Sequence, residues 1–389
     1  MDFLVLIFVI SLFLIIHSYI LYPLIIKLIS ILFLKKYKTY QEYYPKISIL
    51  ISAYNEEKAI GKTLENFLKL DYPTEKIQII VGSDGSTDQT DNILDEYKHR
   101  HPNIVFFSFK ERRGKKFVMN DLVKQANGEI LVFSDSNTIY AKSALQNLIR
   151  FFADERVGGV SGRLELIEGS NGVDKGNKEG TYWKYESWIK ESEGKLGILI
   201  GANGGIYSIR KELFHPMPSD IYVVDDLYIS LKVLEKGKDF LYCKEAIAME
   251  TLAPSVLWEF ERKVRIIPRS FETIKEVKKL MFSKRFLISY ALWSHKIIRW
   301  LSPLFFIVLL ITNILLVINR SGVLFDIFFV FQLAVIVFGI LGYFLSKKGI
   351  NIKFFQLCYY FIVTNYALTK GMYKYITKSF KPTWEPTPR

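Results

Sequence analysis

Charge is almost absent from four stretches of this chain. Between Phe3 and Ile26 no side chain is formally charged unless His17 binds a proton, and that is about the length needed to cross roughly 30 Å of hydrocarbon. The pattern predicts a membrane helix within residues 1–34. Near the other end, Leu301–Ile318 and Val323–Leu345 are joined by the short turn Asn319–Gly322 and read as a transmembrane hairpin. A third apolar run, Phe354–Leu368, is shorter and contains Thr364 and Asn365. Counting it as a span would send the Lys-rich tail outside against the charge rule, so its topology stays open.

Between these ends the pattern changes. β-rich runs at Ile47–Ile51, Ile77–Val81, Ile104–Phe107 and Ile130–Phe133 alternate with helix-like stretches such as Lys58–Leu68 and Asp88–His99. Strands joined by crossover helices predict a parallel, right-handed α/β sheet, with ligands at the carboxyl ends of its strands. Leu227, Leu231 and Leu234 mark a further helix, and after Asp226 the chain turns basic and amphipathic, with Arg262, Lys263, Arg265, Arg269, Lys275, Lys278, Lys279, Lys284 and Arg285 among Phe, Ile, Leu and Met. Such a stretch suits a membrane surface. So does Ser294–Trp300, whose basic groups and tryptophan read as an interfacial anchor.

Composition agrees with this layout. Half of the 389 residues are hydrophobic and mean hydropathy is +0.16, more apolar material than a soluble core of this length needs. The formal charge is +13, and the cations cluster beside apolar segments, which favours a membrane or phosphorylated substrate over nucleic acid. Lys27, Lys35, Lys36 and Lys38 follow the first apolar run, and the positive-inside rule puts that flank and the region after it in the cytosol. Cys243 and Cys358 stand alone, without the spacing of a disulfide framework or a zinc site, as expected of a reduced compartment. The first run lacks a basic leader and a cleavage site, so it is expected to remain as an anchor.

The candidate chemistry follows the strands. Ser52-Ala53-Tyr54-Asn55-Glu56-Glu57 succeeds the first, and Gly82-Ser83-Asp84-Gly85-Ser86-Thr87-Asp88 the second. Asp84 can accept hydrogen bonds from a base or ribose, Gly85 permits a tight turn, and Ser86–Asp88 can cap the next helix. Plain strand-to-helix turn chemistry would use the same residues. Arg113-Gly114-Lys115-Lys116 can bring a lysine to a diphosphate. Ser134-Asp135-Ser136-Asn137 ends the fourth strand, and two oxygen ligands there, Asp135 and Asn137, can hold a hard divalent cation such as Mg²⁺ that also bridges a diphosphate. Alternatively Asp135 caps a helix beginning near Lys142. Gly201–Ser208 is glycine-dense, so its backbone can lie against a sugar, with Asn203 and Gly204 as candidate contacts. Asp225 and Asp226 open a helix, where the dipole favours carboxylates, and Asp226 could equally take a proton from an attacking hydroxyl.

The order Ser-Asp-Gly-Ser, Gly-Lys and strand-Asp-x-Asn resembles the inverting family 2 glycosyltransferases, in particular the membrane-bound bacterial branch related to cellulose, hyaluronan and poly-N-acetylglucosamine synthases. The resemblance implies a GT-A (Rossmann-like) cytosolic domain flanked by transmembrane helices. It implies that Ala53, Tyr54, Glu56 and Asp84 lie at the nucleoside, Lys115 near the phosphates, and Asp135 at metal and diphosphate. Asp226 falls at the family's catalytic aspartate, with Asp225, Asn203 and Gly204 on the acceptor side. Mg²⁺ or Mn²⁺ is the implied cofactor, bound through Asp135 and Asn137, the latter in place of the family's usual Asp. The counterpart of the QxxRW signature is Arg262–Ile266. It retains Arg265, which can offset charge on the leaving diphosphate, and carries Ile266 where polymer synthases stack a tryptophan.

The expected map is therefore a membrane helix in 1–34, a GT-A domain in 45–260, interfacial helices in 261–299, a membrane hairpin plus a third apolar segment in 300–370, and a basic tail in 371–389. The expected protein is a multi-pass inner (plasma) membrane enzyme with a cytosolic catalytic domain. It moves a UDP-linked hexose or N-acetylhexosamine onto a lipid-linked or saccharide acceptor. A processive synthase, an inactive scaffold of an export complex, export partners and a homo-oligomer remain open.

Overall fold

Isoleucine and valine dominate the β-rich runs, and branched side chains pack well on a pleated surface covered on both faces. In the computed structural model, which describes residues 2–167, 176–251, 256–350 and 352–380, these runs become β1 (Ile47–Ala53), β2 (Ile77–Asp84), β3 (Ile104–Phe109) and β4 (Ile130–Asp135). They pair in parallel in the order β3-β2-β1-β4. Helices Ile60–Phe67, Thr90–Arg100 and Lys115–Gln125 connect them, close to the expected positions. Register decides what this half-sheet presents. Ser52 lies beside both Gly82 and Asp135, and Ala53 beside Ser83, so the motifs that follow β1, β2 and β4 emerge level at one edge.

The sheet is mixed, not purely parallel as expected. β5 (Ile139–Tyr140), β6 (Val157–Ile167), β7 (Tyr207–Arg210) and β8 (Asp239–Thr251) extend it to the order β3-β2-β1-β4-β7-β6-β8-β5. β7 runs antiparallel to both β4 and β6, and β6 lies parallel to β8. The antiparallel β7 places the carboxyl end of β4 level with the start of β7, opposite Tyr207 at Phe133. That brings the glycine-dense stretch before β7 to the same edge as Asp135. Helix Asp225–Glu235 buries Leu227, Leu231 and Leu234, as their spacing predicts. The core includes Ile47, Ile49 and Ile51 of β1, Ile79 and Val81 of β2, and Leu145 and Leu148 of the short helix Ala144–Ile149.

The chain divides into two compact units. One comprises Ile26–Leu252 and Glu272–Ile288 and holds the sheet; the other comprises Met1–Ile25, Ala253–Phe271 and Ser289–Phe380. Among the described residues, two helical runs are long and apolar enough to cross a membrane, Asp2–Leu32 and Val323–Lys347. The first outruns the expected Phe3–Ile26 by extending through a π-helical turn at His17–Leu21. Phe286–Trp300 and Ser302–Ile318 qualify only as a pair bent by 62°. Helix Val256–Glu276 carries the expected basic face, and helix Lys353–Ile376 contains the third apolar run.

Ser294–Trp300 departs from its expected role as an interfacial anchor. Ser294, His295 and Arg299 are buried. Ser18 Oγ donates to the Ser294 carbonyl, and the Arg299 guanidinium donates to the carbonyl of Ser18. A buried guanidinium needs such acceptors, and paired segments within one unit supply them. The expected basic tail is described only as far as residue 380, so Trp384-Glu385-Pro386, whose tryptophan and proline suggest docking, lie outside the described residues.

Candidate active site

The loops after β1 and β2 interlock. Asn55, in a left-handed conformation (φ 53°), donates its backbone N–H to Ser86 Oγ and accepts the N–H of Thr87 on Oδ1. Glu57 N–H donates to Asp88, whose other oxygen caps Thr90, while Glu57 accepts from the N–H of Gln89. Burial would raise the Asp88 pKa, but the donors from Thr90 and Glu57 hold it below the usual aspartate value. These motifs are turn chemistry, and their hydrogen bonds fix the loop that carries Tyr54 and Glu56 at the edge where β1, β2 and β4 end. The Arg112 guanidinium covers the Tyr54 ring at 3.8 Å.

Asp84 is buried, and its two carboxylate oxygens accept the backbone N–H groups of Arg113 and Gly114, each at 2.8 Å. Its first task in this structure is thus to hold the 111–114 loop, with lone pairs left for a further donor. Gly85 is needed for the same contact. It has φ +72°, and a Cβ there would meet the backbone of Arg112 at 2.9 Å.

Two adjacent lysines leave this loop in different directions. Lys115 Nζ lies 2.7 Å from Asp135 Oδ1 and 2.9 Å from Asp225 Oδ2. Burial alone would lower its pKa, but the two carboxylates raise it above the ordinary lysine value. Lys116 Nζ donates to the carbonyls of Pro218, Ser219 and Ile221 at 2.9, 2.9 and 2.6 Å. One helical turn on, Asn120 exchanges two hydrogen bonds with the backbone of Met217. The helix Lys115–Gln125 therefore holds the segment that leads into Asp225 and Asp226.

Asp226 sits beside Asp225 at the start of its helix, and its Oδ1 accepts the N–H of Leu227 at 2.7 Å. Burial, then the charge of Asp225, pushes its pKa up to about 6, against the pull of Lys190 and Lys115. Asp225 is half-buried, and Lys115 holds it below the usual carboxylate range. A Cβ built on Gly204 would lie 3.4 Å from Asp226 Oδ2 and 3.8 Å from Asp135 Oδ2. The carboxylates that end β4 and open the helix thus border one small space over a residue with no side chain.

Asn203 does not face that space as a free amide. It is buried, and its N–H donates to Ser161 Oγ, its Nδ2 to the Gly162 carbonyl at 2.6 Å, and its Oδ1 accepts from Lys190 Nζ at 2.5 Å. The reading of Asn203 as a sugar contact is thereby corrected: its hydrogen-bonding groups are taken up internally, and it positions a lysine whose charge Asp226 feels. Lys190 itself was missed, because a single lysine in a polar helical stretch has no motif around it. Tyr207 was missed too. Its hydroxyl is buried without a hydrogen-bond partner, and its pKa is raised well above 10 by burial and by Asp225, Asp226 and Asp135. Arg265 belongs to the other unit. There it stays cationic at neutral pH, its pKa lowered to about 10 by burial and by Arg269 and Arg262.

A divalent cation can be tested against these donors. Among the described residues no cluster of three His, Cys, Asp or Glu side chains could hold one. Asn137 Oδ1 is nevertheless a buried oxygen without a partner, and Asp135 bonds Lys115 through Oδ1, with Oδ2 directed at the space over Gly204. One carboxylate and one amide oxygen fit Mg²⁺ or Mn²⁺ when phosphate oxygens and water complete the shell. They do not make a site that closes without the diphosphate.

Known proteins resemble this chain in sequence and fold. Residues 48–215 match the family described as glycosyl transferase family 2. The fold is GT-A. A mannosyltransferase from Pyrobaculum calidifontis, solved in complex with GDP-Man and Mn²⁺, superposes with a TM-score of 0.67 at 17% identity, covering 96% of this chain and 99% of that one. A probable glycosyltransferase of Bacillus subtilis (strain 168), YdaM, is 25% identical over 232 residues, 55% of this chain and 53% of its own. A poly-β-1,6-N-acetyl-D-glucosamine synthase of Staphylococcus epidermidis is 26% identical over 272 residues, 66% of this chain and 64% of its own. The matched part of the chain thus spans between about half and two-thirds of these two relatives' lengths.

Asn203→Ala tests its internal role. Losing the acceptor for Lys190 and the donor to Gly162 is expected to destabilise the protein by about 1–3 kcal/mol, read as a lower unfolding midpoint in detergent. An unchanged midpoint would restore Asn203 to the acceptor site.

Proposed function

We propose that the protein catalyses inverting transfer of a sugar from a nucleotide-diphosphate sugar to an acceptor hydroxyl at the membrane, with Asp226 as general base. The observation that carries this reading is the pairing of Asp226, a partly buried carboxylate with a pKa near 6, with Asp135 across the space over Gly204. A base must be ionised at working pH yet hold a proton better than an exposed aspartate, and burial beside Asp225 has that effect.

In the proposed reaction, Asp226 accepts the proton of the acceptor hydroxyl as that oxygen attacks the anomeric carbon. The bond from that carbon to the diphosphate oxygen breaks, and the nucleoside diphosphate leaves with the electron pair. Attack opposite the leaving group turns an α-linked donor into a β-glycoside. Tyr54, Glu56 and Asp84 bind the nucleoside, and Lys115 meets the diphosphate, exchanging part of its pairing with Asp135 and Asp225 for phosphate oxygens. Asp135 and Asn137 would hold Mg²⁺ or Mn²⁺, which when bound supplies positive charge to the leaving diphosphate. The donor is a UDP-linked hexose or N-acetylhexosamine and the acceptor is lipid-linked or a saccharide. The basic flank at Lys27–Lys38 supports a cytosolic domain on an inner-membrane protein. Ile266 favours addition of one sugar over chain polymerisation.

Asp226→Asn is expected to lower sugar transfer by roughly 100- to 10,000-fold, with donor binding retained, when purified protein in lipid or detergent is given labelled nucleotide-sugars. Full activity in that variant would sink the mechanism. The ionised form is the base, so the wild-type rate should fall as pH drops through about 6. An acid limb near about 4, where an exposed aspartate titrates, would assign the proton to another group.

A further inference from the structure

Away from the carboxylates, the sheet-bearing unit has an open cleft of about 400 Å³ lined by Lys35, Arg156, Lys236, Gly237, Lys238, Asp239 and Arg285. Five cations meet one carboxylate in that wall. Asp239 accepts from Lys35 Nζ at 2.9 Å, from Tyr37 Oη at 3.0 Å and from Arg285 Nη2 at 2.5 Å. Arg156 pairs with Asp154. Lys236 and Lys238 stand on either side of a left-handed glycine (φ +81°), and their ammonium groups donate to the backbone carbonyls of Glu212 and Glu155. Among the described residues no carboxylate lies within ion-pair distance of either lysine. Two positive charges therefore remain uncompensated at the mouth of the cleft.

The surroundings identify what would compensate them. Lys35 follows the apolar run Asp2–Leu32 by three residues, and the intervening Phe33 and Leu34 are exposed. Arg285 is flanked by Phe282 and Phe286, which are 82% and 71% exposed. Exposed aromatic and aliphatic side chains next to a basic cleft at the end of a membrane span match the boundary where acyl chains meet charged headgroups.

We propose that this cleft binds the phosphate of an anionic phospholipid headgroup, with Lys236 and Lys238 as its principal cations and the flanking apolar side chains against the acyl chains. The proposal rests on the membrane reading of Asp2–Leu32 and is independent of the transferase mechanism. A bound lipid would tether the catalytic unit to the surface on which a lipid-linked acceptor is presented.

The test uses the full chain in neutral detergent, offered phosphatidylglycerol and phosphatidylcholine in equal amounts, with bound lipid counted by native mass spectrometry. Wild type is expected to prefer phosphatidylglycerol, and the Lys236→Gln, Lys238→Gln double variant to lose on the order of 10-fold of that preference. Lys62→Gln with Lys98→Gln, which removes equal charge from exposed helix faces, should keep it. An equal loss in that control would mean diffuse attraction and overturn the site, as would no preference in wild type or an intact preference in the double variant. Competition by inorganic phosphate at matched concentration would reassign the cleft to a free anion. Retained sugar transfer in the double variant shows that the site and the catalytic reading stand or fall separately.

Discussion

Three aspartates around one small space are the constraint on which the rest of this domain depends. Asp135, Asp225 and Asp226 are partly or wholly withdrawn from water, and carboxylates so placed repel one another and resist ionisation. Lys115 and Lys190 offset that cost. Lys115 pairs directly with Asp135 and Asp225, whereas Lys190 acts on Asp226 from its seat on Asn203. Each lysine is delivered by a different element, so the cluster ties together β4, the helix Lys115–Gln125, the helix Gly176–Lys195 and the helix Asp225–Glu235.

Neighbouring residues in this cluster do unlike work because a helix turns each successive side chain by about 100°. Lys115 points to the carboxylates, and Lys116 gathers three backbone carbonyls of the segment before Asp225. The second lysine thus builds the scaffold on which the first lysine's partner stands. Asp225 and Asp226 divide in the same way. Contact with Lys115 keeps the first ionised, and the first's charge raises the proton affinity of the second. Environments that drive two like groups apart in pKa create a fixed counter-ion and a base from the same residue type.

The parallel half of the sheet was legible because its strands are short, branched and apolar, with turn residues directly behind them. β6 and β8 were not. Gly158 and Gly159 interrupt the first and Lys244 and Glu245 the second, so neither shows the short run rich in branched apolar residues that marked β1 to β4. The motif positions of Asp84, Lys115, Asp135 and Asp226 could be read locally, because each follows a strand or opens a helix. Asn203 could not, since glycine-rich sequence looks the same whether its polar residue turns outward to a sugar or inward to a lysine. Ser294–Trp300 failed for a related reason: a basic and aromatic sequence does not reveal that Ser18, nearly three hundred residues away, supplies the acceptor for Arg299.

The glycine-dense stretch is best understood from what a side chain would displace. At Gly204 even a single carbon would stand within contact distance of the Asp226 carboxylate, so the space between Asp226 and Asp135 exists because that residue has no side chain. Tyr207, three residues on, supplies the opposite feature: a large ring stacked on Phe133 at 4.6 Å, with a buried hydroxyl that has no hydrogen-bond partner among the described residues. An unpaired donor in a field of three aspartates is costly unless something accepts from it during function. One stretch of sequence thus leaves a space over Gly204 and buries a polar group close by, and both properties depend on β7 entering the sheet antiparallel to β4.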